Sequence, residues 1–234
     1  SGLWLHPGLG FGPPLSGPGP VRNKSRLPSG ASNFNLVVGD YTNPILKPAA
    51  AEAVKKHGEI ELSGVVVPNP RNQCWPGGVP FVFTNGPTQL LQQPDKVTIL
   101  YGYDHQVRRV RLNQSHPLQV TPSWYGDSVG HYEGDSLVID TIGFNGNTRL
   151  DTIGHPHSDQ LHVVQRLSRP DLGHISYDVT IEDPKTFTRP WKNTRTFTLR
   201  PDWEILEYSC EENNGGILWQ KYRQSGLRQP LKQT

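Results

Sequence analysis

At 234 residues the chain has room for one large all-β domain or two small ones, and length alone does not choose between them. A formal charge of +2, from 23 basic and 21 acidic residues with no basic stripe, excludes the electrostatic footprint of a nucleic-acid partner. No apolar run reaches the roughly 20 residues of a membrane-spanning helix, and no charged start followed by an apolar core marks a signal peptide.

The composition includes Gly 24, Pro 22 and only 34% hydrophobic residues, a mixture typical of many short strands and turns with some irregular chain. There is no methionine, so the expectation is that residue 1 was exposed by processing. Gly2-Leu3-Trp4-Leu5 reads as a short strand, after which the chain is Gly/Pro-rich from Pro7 to Pro20 and without period through Arg26. Residues 1–45 are therefore expected to be an irregular arm ordered by packing on the body. A helix is expected from Leu46 to His57: Pro48 suits its first turn, the alanines that follow favour it, and Gly58 would stop it.

Beyond Val79 the period becomes two. Strands are expected at Phe81–Phe83, Gln89–Gln92, Val97–Tyr101, Val107–Leu112, Ser136–Ile142, Gln160–Leu167, His174–Ile181, Arg195–Leu199 and Glu204–Cys210. Turn signals separate them, among them Pro94-Asp95, Glu133-Gly134-Asp135, Asp183-Pro184 and Pro201-Asp202. Nine or so strands with no helical period between them imply an all-β fold, an antiparallel meander that closes into a barrel and so removes its edges. The expected organisation is an arm over 1–45, one barrel domain with a short leading helix over 46–214, and a tail over 215–234.

Cys74 and Cys210 are the only cysteines. Pairing them would close a loop of over a hundred residues, stabilising by up to ~4–5 kcal/mol in the chain-entropy model; two buried free thiols are the alternative. The preferred reading is a disulfide and an oxidising, periplasmic or extracellular compartment.

The stretch from Trp124 to Asp159 gathers acids, histidines, aromatics and turn glycines. Gly126-Asp127-Ser128-Val129-Gly130 matches the G-x-S-x-G serine pattern, but that motif needs a strand before it and a helix after it, and here a strand follows. Ser128 could still join His157 and Asp151 or Asp159 in a triad on another fold. His155, His157 and His162, with a nearby Asp, are candidate ligands for a divalent transition metal, although no cofactor is favoured. For acid–base chemistry the candidates are Asp127, His131, Asp140, His157 and Glu207. Trp124, Tyr125, Tyr132, Phe144 and Trp191 are candidates to line an apolar pocket, or equally to fill the core.

Trp124 to Val138, Gly154-His155-Pro156-His157-Ser158, Asp183-Pro184, Pro190-Trp191 and Glu207 to Asn213, together with Gly2-Leu3-Trp4, resemble a group of secreted bacterial proteins. In that group the position of Tyr132 is usually Trp, that of Ser136 often Thr, and that of His155 varies, whereas His157 fits the pattern. The resemblance implies an exported β-rich protein and no particular activity. Gly2-Leu3-Trp4 ahead of a meander also resembles the entry to a lipocalin-type barrel, from which the long Gly/Pro arm departs.

The expectation drawn from these features is an exported barrel that binds a small, partly apolar molecule. If it also acts on that molecule, cofactor-free proton transfer (lyase, isomerase or hydrolase) is expected, with His157 as acid or base and Asp127 or Asp140 orienting it. The alternatives are a serine hydrolase using Ser128, a metal enzyme using the loop histidines, and a subunit whose N-terminal arm clasps a protein partner or another copy.

Overall fold

A computed structural model describes residues 2–6, 25–31, 38–65, 67–84 and 86–210. Among these, nine strands form one closed barrel: β1 (Gly2–Leu5), β2 (Pro87–Gln92), β3 (Lys96–Tyr101), β4 (Asp104–Leu112), β5 (Asp127–Glu133), β6 (Ser136–Ile142), β7 (His162–Ser168), β8 (His174–Glu182) and β9 (Trp191–Leu199). The strands follow chain order around the barrel, and β1 pairs with both β2 and β9 to close it. The all-β barrel inferred from the period of two is the observed architecture.

One junction departs from a pure meander. β4 and β5 run parallel, with Arg111 beside Val129 and Leu112 beside Gly130. Residues 113–126 carry the chain from the lower end of β4 back to the upper end, from which β5, β7 and β9 start. Parallel neighbours need a crossover of this length, whereas an antiparallel pair can be joined by a tight turn. Such a turn lies between β5 and β6, where Gly134 has φ 58°.

The alternation of each strand decides its faces. Along β8, Ile175, Tyr177, Val179 and Ile181 are buried while the intervening residues are more exposed. At the lower end Trp4, Leu90, Val97, Leu137, Leu167 and Ile175 gather around a small pocket. Trp4 is 1% exposed, and the Arg169 guanidinium lies 5.3 Å over its ring, a cation–π contact.

Between β1 and β2 lies an excursion with α1 (Pro48–Leu62), α2 (Pro70–Gln73) and the 3-10 turn η1 (Phe81–Thr84). Pro48 does start the helix, but Gly58 does not stop it. A Cβ on Gly58 would stand 2.7 Å from Val38 Cγ1, so the missing side chain serves a close approach to the chain preceding the helix. Phe81–Phe83, expected as a strand, is the η1 turn.

Two further expectations change. Gly2–Leu5 belongs to the barrel, so residues 1–45 are not all arm; positions 7–24, as well as the tail from 211 to 234, lie outside the described residues. Glu204–Cys210 is not a strand, because β1 already occupies the free edge of β9. Cys210 instead pairs with Cys74 in a disulfide, with Cα atoms 5.5 Å apart, the ordinary span of such a bridge.

The loop from Gly143 to Leu161 is tied to the β8–β9 turn through Asp183, which is 1% exposed. Its carboxylate accepts hydrogen bonds from Ser158 N (2.6 Å), Ser158 Oγ (2.7 Å), Lys185 N (3.0 Å), Thr186 N (3.2 Å) and Thr186 Oγ1 (2.9 Å). This gives Ser158 and Asp183-Pro184 a structural role. Replacing Asp183 with Ala strands five donors, two of them buried and three part-buried, and we expect a loss of ~2–4 kcal/mol, with Asp183→Asn losing less. Urea denaturation measures it; a change under ~0.5 kcal/mol, the scale of an ordinary surface substitution, would remove Asp183 from this role.

Candidate functional site

The inward face of the barrel is not uniformly apolar. β4 reads Val107-Arg108-Arg109-Val110-Arg111-Leu112, and its alternation turns Arg108, Val110 and Leu112 inward. Arg108 is accordingly 3% exposed whereas Val107 is 51% exposed. Ser128 and Thr141, opposite one another on β5 and β6, also face inward, as do Gln165 on β7, Tyr177 on β8, and Asn193 and Arg195 on β9. Sequence reasoning singled out only Ser128 from this set.

Arg108 ties β4 to β5 and β6. Its Nε donates to Ser128 Oγ at 3.0 Å and its Nη2 to Thr141 Oγ1 at 2.7 Å, and the two hydroxyls stand 3.2 Å apart. Gln165 Nε2 donates to the Tyr177 hydroxyl at 2.5 Å. Among the described residues, Gln165 Oε1 and Asn193 Oδ1 and Nδ2 have no protein partner, and Arg108 Nη1 and Tyr101 Oη have none beyond the Arg108–Tyr101 contact itself. Buried polar groups in folded proteins are nearly always paired, with protein or with ordered water, so a cluster without protein partners calls for an explanation.

Aromatic rings surround the cluster. Phe83 reaches in from η1, with its ring centroid 5.7 Å from Tyr101, 5.3 Å from Tyr177 and 6.2 Å from Phe197. Tyr177 and Phe197 stack at 4.8 Å. Burial raises the Tyr101 and Tyr177 phenols above the usual tyrosine range, which keeps both neutral at ordinary pH. The interior thus combines flat apolar walls with unpaired donors and acceptors, the usual make-up of a small-molecule site.

The residues singled out from sequence fall into separate places. Asp127 and Asp140 lie on the outer face, in a ladder that crosses five strands. Arg111 binds Asp127 with two hydrogen bonds of 2.8 and 2.9 Å, and His116 bridges Asp127 (2.7 Å) and Asp140 (3.0 Å). Asp140 in turn contacts His162 at 3.0 Å, which faces Glu182 at 3.6 Å. His131 is exposed and contacts Glu133 at 3.0 Å.

His155 and His157 sit in the upper loop. Buried His155 contacts Asp151 through Nδ1 at 2.6 Å, and Asp151 also accepts from the Ile153 and His155 amides. The His157 ring donates from Nδ1 to the Ser158 carbonyl at 3.0 Å and accepts at Nε2 from Thr148 Oγ1 at 2.7 Å. Burial lowers the His157 pKa, so the ring is neutral near pH 7. It borders an open cleft of about 340 Å³ shared with Asn69, Trp75, Thr148 and Arg149. His155, His157 and His162 therefore face three different partners and do not share a centre.

Ser128 has a guanidinium and a hydroxyl for partners, neither of them a general base. Of the aromatic candidates, Trp124 is near Trp75, with centroids 6.5 Å apart. Tyr125 donates to Asp104 at 2.6 Å and Phe144 packs edge-on to His157 at 6.1 Å. Trp191 meets Phe187 at 5.9 Å, and exposed Tyr132 accepts from Gln92 at 2.6 Å. Glu207 lies in the strandless chain after β9 and borders a shallow surface cleft.

Fold and site together define a closed β-barrel with a polar, aromatic-walled interior. Comparison with protein-family models, curated proteins and solved structures finds no match.

The outer ladder sets a pH dependence. Hydrogen bonding to Asp140 raises His162 above its usual 6.5; a raised folded-state pKa gives stability that is complete below 6.5 and lost as pH rises through the folded value. Asp127, held down first by Arg111, and Asp140, held down first by His162, lie below their usual 3.8. Their contribution is present above 3.8 and lost as pH falls through the lowered values. With the groups partly solvated, we expect the stability difference between wild type and His162→Gln to shrink by under ~1 kcal/mol between roughly pH 6 and 8. Parallel denaturation series measure it, and a difference that grows with pH contradicts the assignment.

Proposed function

We propose that the protein binds a small, partly apolar molecule inside its barrel, on the polar cluster formed by Arg108, Tyr101, Gln165 and Asn193. The observation that carries this reading is the set of buried, unpaired polar atoms in that interior. Each buried group left without any partner costs about 1–3 kcal/mol, so a molecule that supplies partners to Gln165 and Asn193, whether ligand or bound water, is favoured there. Phe83, Tyr177 and Phe197 supply the apolar part of the contact. Nine strands are enough to leave room for one small ligand among inward side chains.

The disulfide supports an exported setting, as does the resemblance to secreted bacterial proteins. A catalytic extension draws on one separate observation. Neutral, buried His157 borders the cleft beside Arg149, where an imidazole freed from Thr148 is positioned to accept a proton from a bound molecule.

The test is a screen of small aromatic and aliphatic fragments by saturation-transfer NMR, with hits mapped on the side-chain amide signals of Gln165 and Asn193. The expected result is that hits move those two signals. Hits that shift only outer-face or cleft residues would sink the interior site, and shifts around His157 would favour the cleft.

A further inference from the structure

The interior cluster carries charge as well as unpaired atoms. Arg108 and Arg195 both occupy inward, buried positions, and among the described residues neither has a carboxylate within ion-pair distance. The groups that Arg108 meets are neutral hydroxyls, those of Ser128, Thr141 and Tyr101; among the described residues Arg195 donates to the neighbouring Thr194 carbonyl alone. Among the inward positions of β2 to β9 the one acid is Asp104, which pairs with Tyr101 at the upper end of β4. The nearby Asp104 is already taken, accepting from Tyr125 Oη at 2.6 Å and from Gly77 N at 2.7 Å. The neutral Tyr101 and Tyr177 phenols supply no countercharge either.

An arginine taken out of water without a partner is among the more destabilising arrangements in a protein. Bound water can satisfy Arg108 Nη1 but does not neutralise a guanidinium. A planar carboxylate does both, because it matches the guanidinium fork and accepts from several donors at once. Gln165 and Asn193 add amide groups of fixed orientation, and the stacked rings favour a flat apolar body behind the charged head.

We propose that the barrel interior is a site for a small organic carboxylate whose anionic head rests on Arg108 and whose apolar body lies against Phe83, Tyr177 and Phe197. This rests on the interior-binding reading above and adds the charge of the ligand to it. Arg108 is a binding residue in this arrangement, and Arg195 contributes to the positive potential that draws the anion in.

The experiment uses matched probes on the full-length protein: benzoate against benzamide, and hexanoate against hexanamide, titrated by calorimetry and by the Gln165 and Asn193 amide signals. Carboxylates are expected to bind at least about tenfold tighter than their neutral amides, the scale of a charge-assisted hydrogen bond against a neutral one. The preference should vanish in Arg108→Gln and persist in part in Arg108→Lys, with far-UV circular dichroism verifying the fold of each. A second readout does not need a ligand. Arg108→Met removes the uncompensated charge at similar volume, so its thermal midpoint without ligand should rise above that of the wild type, while a purely structural arginine would make it fall.

Amides that bind as well as carboxylates would overturn the anionic head and leave interior binding standing. Absence of binding by all four probes up to about 10 mM, weak even for ligands of this size, would overturn both. A lower midpoint for Arg108→Met would overturn the proposal by making Arg108 a strut between Ser128 and Thr141.

Discussion

The four residues of β1 are the constraint on which the remainder of the molecule depends. Trp4 and Leu5 pair with β9 on one side, and Gly2 to Leu5 pair with β2 on the other. Without that strand the sheet would be open, with two edges of unpaired backbone groups and an interior in contact with water. Closure gives Arg108, Gln165 and Asn193 an inside to face. Trp4 performs a second task by filling the lower end, so one short segment both completes the hydrogen-bond cycle and shuts one mouth. Its partners lie more than eighty residues away along the chain, making this closure a contact of high sequence separation and a slow step to reach.

From closure follows the division between faces. Outside, Arg111, His116 and His162 alternate with Asp127, Asp140 and Glu182 across five strands, an arrangement in which every charge has a neighbour of opposite sign. Inside, the two arginines have no acid within ion-pair distance among the described residues. The same residue type thus occupies opposite electrostatic settings on one strand, since Arg111 is paired and Arg108 is not. Pairing outside and its lack inside is what separates the solvated surface ladder from the position proposed to bind a ligand.

Much of the fold was legible in the sequence because a period of two survives wherever one strand face is buried. Val97–Tyr101, Ser136–Ile142 and His174–Ile181 show it with few exceptions. What failed was tertiary in origin. Phe81–Phe83 has the pattern of a strand, yet its backbone belongs to a 3-10 turn from which Phe83 enters the barrel. Glu204–Cys210 has no edge left to join, and Gly58 is present for the closeness of Val38 and not to end a helix. The parallel β4–β5 junction was invisible, since side-chain alternation is the same whichever way a neighbour runs.

The site was legible in part, and the missed signal is instructive. Histidines and acids drew attention by their chemistry, but register decides where such groups point, and it sent Asp127 and Asp140 outward and His155 and His157 onto loop partners. The informative residues were those out of phase: Arg108 shares its alternation with Val110 and Leu112, Gln165 with Val163 and Leu167, and Asn193 and Arg195 with Trp191 and Phe197. Polar residues in the apolar phase of a strand destabilise a barrel unless something enters to meet them. In a closed sheet there is no other face to which they can turn, so the same closure that protects the backbone edges turns a phase error in the sequence into the polar interior on which the proposed binding rests.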